Sequence, residues 1–417
     1  MNKIINYHFI ENKFYLYLIG LLPLSLLIGT LLAEIIIFII IFFFLYEIIL
    51  EKNFNFLKNT LFISFLIIYT YLIINLFNSS NFDLSFNRSI FFLRFPLLVM
   101  AIAYFTKKNK FEINLIYKIW TITICIVIFD LYFQYIFGFN MLGFRSPWPE
   151  RLSGFLGDEL KIANLLIGFA THVIIFNFLK NKNIKIFYLF LFSYLIILFL
   201  VNERSNALKG LFIIFFLYLL INEINIKQKI ILLIAIVGLV FSLINFSNSL
   251  NQRFFVEIKK MKIQENNLME YIIYSNYGPH YLAGIEIFKK KPYLGSGIKT
   301  FRKICEDVDL IKYYKNENYK YLANKKCSTH PHQLHIEILS ELGIIGYSLF
   351  ILLFFYLIFK SLKIYFKHKN SLILSPLLFI IAQFIPLLPS GSFFTNFGAT
   401  IFWINVGLIY SEILKYE

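Results

Sequence analysis

Apolar stretches recur along nearly the whole chain, each of roughly 17 to 25 residues, the length an α-helix needs to cross about 30 Å of hydrocarbon. They fall at residues 14–30, 32–50, 60–78, 89–106, 113–137, 159–179, 186–202, 207–222, 230–247, 341–359, 372–388 and 396–414. Inside a bilayer the backbone must satisfy its own hydrogen bonds, so such a series predicts an all-α polytopic membrane protein of about twelve transmembrane helices. The first two stretches stand close enough to form one re-entrant hairpin. Composition agrees, because 59% of 417 residues are hydrophobic and 15% are charged, more apolar surface than a soluble domain of that length can hide. The first stretch is followed by no small-residue cleavage site and at once by a second span, so it is expected to remain as an anchor.

Lysines fix an orientation. Lys52 and Lys58, then Lys107, Lys108 and Lys110, then Lys180, Lys182 and Lys185, then Lys227 and Lys229, then Lys360, Lys363, Lys367 and Lys369 occupy alternate connections. That side is expected to be the cytoplasm, with both termini on it. The net charge of +16 then follows from topology and from attraction to anionic headgroups, and calls for no nucleic acid. The expected organisation is 1–247 for transmembrane helices 1–9, 248–340 for one large loop on the opposite face, and 341–417 for helices 10–12. The loop mixes aromatic, charged and Gly/Pro residues, which reads as a small folded cap.

Arginine is the informative cation, since only 7 of the 40 basic residues are Arg. On this topology Arg88, Arg145, Arg151, Arg204, Arg253 and Arg302 all fall on the outer side. Arg94 lies within the fourth span, about 9 Å below its outer end at about 1.5 Å per residue. This opposes the positive-inside bias and points to a need for the planar guanidinium fork, which grips phosphate or carboxylate in two places. The alternative is pairing with lipid headgroups or with acids, of which Asp83, Glu150, Asp158 and Glu159 are within reach. Arg204 sits with Glu203 in VNERSNALKG, a short turn held near the bilayer surface by two helices. Arg94 is costly within a span and must face a partner or an aqueous cavity. Arg253 has no motif around it and is expected to tolerate lysine.

Three of the seven histidines, His330, His332 and His335, crowd into CSTHPHQLHIEILSELGIIG, residues 327–346, where a span begins. Pro331 suits a first helical position, with Thr329 or His330 as cap and Gln333 reaching back. On that helix His332 and His335 share a face, beside Glu337 and Glu341. An imidazole at this interface can act as a general base. The other readings are a zinc site, which lacks an HExxH signature or a close Cys, and plain interfacial residues satisfying backbone groups. Upstream, KKKPYLGSGIKTFRKIC at 289–305 holds Gly295 and Gly297, which permit close backbone approach to a ligand, and then Arg302. It is neither a P-loop nor a dinucleotide fingerprint.

The short turn with ERS, the KPxxGxGxxxFR segment, and His332-Gln333 followed by Gly343 and Gly346 together resemble the O-antigen ligase and polymerase superfamily. These are polytopic inner-membrane glycosyltransferases with one large periplasmic loop. The resemblance implies a GT-C-like helical fold in a bacterial inner membrane, both termini cytoplasmic and the active site facing the periplasm. It implies transfer of a glycan from undecaprenyl diphosphate to a hydroxyl of the lipid A core, with no metal, cofactor or nucleotide sugar. The catalytic histidine maps to His332 and a diphosphate-binding arginine to Arg204, with Arg88, Arg94, Arg151 and Arg302 as further contacts. Gln333, Glu203, Gly295, Gly297 and Gly343 are supporting positions. Where the family often carries an arginine before KPxxG, this sequence has His280. An O-antigen polymerase extending a lipid-linked glycan, a protein-directed oligosaccharyltransferase and, more remotely, a lipid-linked saccharide transporter remain alternatives. In a periplasmic loop Cys305 and Cys327 are expected to pair, while Cys125, inside the fifth span, is expected to stay a free thiol.

Overall fold

The computed structural model describes residues 2–108, 113–148, 150–181, 183–221, 223–256, 268–314 and 317–416. Lys110 and Lys182 lie outside the described residues. Helices run α1 Asn2–Ile28, α2 Thr30–Leu50, α3 Thr60–Phe77, α4 Phe82–Ile90, α5 Arg94–Lys108, α6 Ile113–Phe137, α7 Ile162–Asn181, α8 Ile184–Leu200, α9 Arg204–Leu220 and α10 Ile226–Phe246. After the cap helix α11 Gly278–Lys290 come α12 Leu334–His368, α13 Leu374–Gln383 and α14 Asn396–Leu414. Short helical turns fill the connections, and no strand occurs among the described residues. Eight helical segments are long and apolar enough to cross a membrane, and shorter apolar helices accompany them. Every expected span falls on a helix. The first two are helices that meet at Gly29 and pack on each other.

The bundle is built around α14, which is almost wholly buried and packs along α5, while α1 packs between α2 and α6. Trp403 on α14 is the centre of an aromatic knot with Phe65, Phe92, Phe95, Phe354 and Phe393. In contrast α10 exposes Ile230, Ile234, Val237 and Phe241, a face that only acyl chains would cover. The lysine-bearing end is tied by polar contacts, with Lys108 bridging Glu47 and Glu51 at 2.6 and 2.8 Å, and Asn370 donating to Glu412 at 2.6 Å.

The cap crowns the other end. It has its own small core, in which Leu282, Ile287, Phe301, Val308, Leu310 and Tyr314 pack around Cys305. The sulfurs of Cys305 and Cys327 are bonded, with Cα atoms 5.3 Å apart. Its main dock is a break in α12. Gly343 takes φ 66, ψ −173, which interrupts the helical ladder, and the cap segment 292–297 fills the gap. Ile344 donates its N–H to Pro292 O at 2.8 Å, while Ser296 and Gly297 donate theirs to the carbonyls of Ser340 and Glu341 at 2.9 and 2.8 Å. Asn75 of α3 seals the joint by donating to Leu294 O at 2.6 Å. Gly295, at φ 74, thus comes close to the backbone of α12, and Gly297, at φ 106, to the side chains of Ser79 and Ser85. A Cβ on Gly295 would stand 2.4 Å from Gly343 N.

The helix expected from Pro331 starts later, at Leu334. Its N-cap is Gln333, whose Oε1 accepts from Ile336 N at 2.8 Å. His332 has left-handed backbone, φ 58, so His332 and His335 share no helical face. The eleventh span is shorter than expected as well. α13 ends at Gln383 because Pro386 and Pro389 follow, each without a backbone N–H, and residues 384–391 run on as irregular chain.

Candidate active site

That irregular chain forms a wall of a cavity of about 500 Å³ between the cap and the bundle end. Into it converge Arg151 from the α6–α7 connection, Glu203 and Arg204 from the α8–α9 turn, Arg253, Tyr277 and Tyr281 of the cap, and His330 and His332. The wall is held from all sides. Ser390 donates its N–H to His332 O at 2.8 Å, Ser205 of α9 donates to Pro389 O, and Tyr281 donates to Leu387 O at 3.4 Å.

The three clustered histidines divide by what their nitrogens touch. His330 meets Thr329 Oγ1 at 2.9 Å and Ser390 O at 3.1 Å. His335 meets Tyr347 Oη at 3.0 Å and Phe384 O at 2.9 Å, outside the cavity. Both rings are therefore committed to holding structure. His332 meets Ser328 Oγ through Nε2 at 2.8 Å, and no described group bonds to its Nδ1. Its ring is packed against Tyr277, His280 and His330, with centroids 5.3, 5.2 and 4.1 Å away. Burial first, and then repulsion from His330 and His280, push its pKa from the usual imidazole value down to about 3. Burial likewise lowers His330 to about 4. Both causes favour the neutral imidazole, the form that can accept a proton. Among the described residues, no three His, Cys, Asp or Glu side chains converge as metal ligands would.

Guanidinium groups divide too. Arg151, Arg204 and Arg253 line the cavity. Arg204 Nη1 donates to the carbonyl of Arg253 at 2.8 Å, which ties the α9 start to the π-helical turn Gln252–Val256. Arg94 is placed elsewhere. It is buried and ion-paired through Nε to Glu34 at 2.8 Å, lies 4.2 Å over the Phe95 ring, and shares Asn396 Oδ1 with Arg88. Arg302 and Arg145 are exposed. The arginines expected from sequence to share one site therefore fall into a cavity set, Arg151 and Arg204, and a set outside the cavity, Arg88, Arg94 and Arg302.

Arg253, expected to tolerate lysine because no motif surrounds it, lines the cavity. Its signal is three-dimensional, because the turn after α10 returns it beside the α8–α9 connection. Tyr277, Tyr281 and the 387–391 segment were also unforeseen. His280 stands beside His332, its Nδ1 3.1 Å from Lys326 O.

The fold and this cavity define a class: a polytopic helical membrane protein whose capped end brings arginines and His332 to one cavity. Residues 187–351, from α8 to the middle of α12, match the family model described as O-antigen ligase. No curated protein matches the chain.

Proposed function

We propose that this protein is an O-antigen ligase-like glycosyltransferase that moves a glycan from undecaprenyl diphosphate to a hydroxyl of the lipid A core. The observation that carries the reading is the meeting, in one cavity, of His332 with Arg151, Arg204 and Arg253. Departure of a lipid diphosphate concentrates negative charge on phosphate oxygens, and preorganised guanidiniums in a partly dry site stabilise that charge more than they stabilise the bound substrate. The cavity also adjoins the N-terminus of α9, where first-turn N–H groups lack helical acceptors and favour an anion.

In the proposed reaction the acceptor oxygen attacks the anomeric carbon and its proton passes to Nδ1 of His332. The bond from that carbon to the diphosphate oxygen breaks, and its electron pair leaves with the diphosphate. The bond between Ser328 Oγ and Nε2 holds the ring in place, and with the ring proton on Nε2, Nδ1 is the base. The donor itself corrects the weak basicity of His332, because a diphosphate in the cavity supplies the opposite charge that an imidazolium requires. Gln333 contributes as the cap that starts α12 immediately after the base, and Gly295, Gly297 and Gly343 as the joint that seats the cap.

The orientation follows the same reading. The bonded cysteines suit an oxidising compartment and the lysine-rich connections lie at the opposite end, so the cap faces the periplasm of an inner membrane and the termini face the cytoplasm. The domain organisation is then a helical bundle of residues 1–247 and 341–417 interrupted by the cap, with α12 reaching from the cap into the bundle.

The test is purified protein in lipid with a defined undecaprenyl-diphosphate glycan, offered lipid A core and a second lipid-linked glycan in separate reactions. Ligation to the core is the expected product. Consumption of the lipid-linked glycan alone would make the protein a polymerase, and no donor consumption with either acceptor would remove the glycosyltransferase reading.

A further inference from the structure

Glu203 is the one acid among the described residues that line the cavity, amid several cations, and no described ion pair joins it to them. Its Oε2 accepts from Asn206 Nδ2 at 2.6 Å. Its Oε1 is buried and has no hydrogen-bond partner among the described residues. An ionised carboxylate left half-satisfied in a desolvated site is costly, whereas a carboxylic acid there would carry its proton on Oε1, the oxygen that Asn206 does not occupy. Such an O–H is a donor with no acceptor in the protein.

We propose that Glu203 acts in its protonated form as a hydrogen-bond donor to a phosphate oxygen of the bound lipid diphosphate. The proposal rests on the glycosyl-transfer reading above and adds a substrate-binding group to it. No proton need be transferred. The Oε1–H bonds to phosphate while the anomeric bond breaks, and the hydrogen bond strengthens as charge grows on the departing diphosphate. An ionised Glu203 in the same place would repel that charge.

Burial dominates the balance of charges and raises the Glu203 carboxyl to about 7, against the opposing pull of Asn206, Arg151 and Arg253. The other groups facing it are Arg204 and the first turn of α9 on its own element, Lys161 from the α6–α7 connection, Tyr271, Tyr277 and Tyr281 from the cap, and His330 and His332 across the cavity. A bound diphosphate neutralises the cations and favours the acid form further. The folded-state value lies above that of an unfolded carboxylate, so the acid form is present below about pH 7 and is lost as pH rises.

The experiment compares full-length parent and Glu203→Gln in lipid nanodiscs, titrated with a short-chain polyprenyl diphosphate between pH 6.5 and 8.5. Glutamine keeps the contact with Asn206 and offers a neutral N–H in place of Oε1–H. Ionisation of the diphosphate affects both proteins alike and cancels in the comparison. Parental affinity is expected to fall across this range by about thirtyfold more than that of Glu203→Gln, as loss of a required acid form with a value about 1.5 units below the upper pH dictates. Equal pH dependence in the two proteins would overturn the role of Glu203 while leaving the diphosphate site standing. Absence of binding to the parent at every pH would overturn both. Because the readout is binding and its pH dependence, a purely structural role for Glu203 would offset the affinity of Glu203→Gln from the parent's by the same factor at every pH.

Discussion

Replacing Gly343 with alanine tests how the cap holds the active site. The glycine has φ 66, and an added Cβ would stand 2.2 Å from Tyr293 O and 2.6 Å from Gly295 N. The left-handed conformation alone costs an L-residue roughly 1 to 2 kcal/mol. The overlap is with backbone, so it is relieved only by moving the 292–297 segment away from α12. That movement breaks the bonds from Ile344 to Pro292, from Ser296 to Ser340 and from Gly297 to Glu341, each worth about 1 kcal/mol net. The joint should weaken by about 4 to 5 kcal/mol, while the two halves of α12 keep their packing in the bundle. Hydrogen exchange of residues 295–301 in nanodiscs should then accelerate roughly a thousandfold. Glycan transfer should fall at least a hundredfold, because His332 lies between the cap and the start of α12 and a displacement of about 1 Å is enough. Gly238→Ala is the control, since nothing lies within 4 Å of its added Cβ. Parental exchange and parental transfer in Gly343→Ala would refute the joint.

Arg204→Lys and Arg253→Lys should each slow transfer at saturating donor by about a hundredfold, or about 3 kcal/mol, by losing the planar fork, whereas Arg302→Lys should be nearly silent; equal rates for all three would return the cavity arginines to a topological role. Reducing the Cys305–Cys327 bond should lower stability by about 3 kcal/mol and slow transfer, since Cys327 directly precedes the Ser328 that holds His332, and Cys305→Ser should reproduce both effects in a melting curve and a rate assay. In the pH profile of kcat/KM, which reports the free enzyme, the imidazole inflection near 6.5 should be missing because His332 is already neutral above about 3; an acid limb near 6.5 that disappears in Ser328→Ala would contradict the buried, neutral ring.

The helical bundle was legible because span length is a property of local sequence. Thirty-ångström apolar runs leave few alternatives, and the expected spans all meet helices. The site was legible where side-chain chemistry was rare for its surroundings, as with His332 beside Pro331 or arginine in a lysine-rich chain. It was illegible where three-dimensional closure decides the role. Glu34 pairs with Arg94 across the interval between α2 and α5, and nothing local to either residue announces it. Arg253 gains its place only because a turn after α10 folds back to Arg204. A GxG looks alike whatever its close neighbour, and nothing local to Gly295 announces the broken helix at Gly343. The positive φ of His332 escaped notice because the X-Pro-X-Gln pattern around it also suits an ordinary helix start.

The most direct measurement is the release of undecaprenyl diphosphate from a lipid-linked glycan donor, in the presence of a hydroxyl acceptor, by parent, His332→Ala, His330→Ala and His335→Ala proteins of matched fold and insertion. Release and transfer should vanish together in His332→Ala and persist at a measurable rate in the other two, with no effect of chelator on the parent. Parental rates in His332→Ala, or loss of activity on chelation that added zinc restores, would contradict the assignment of His332 as the base.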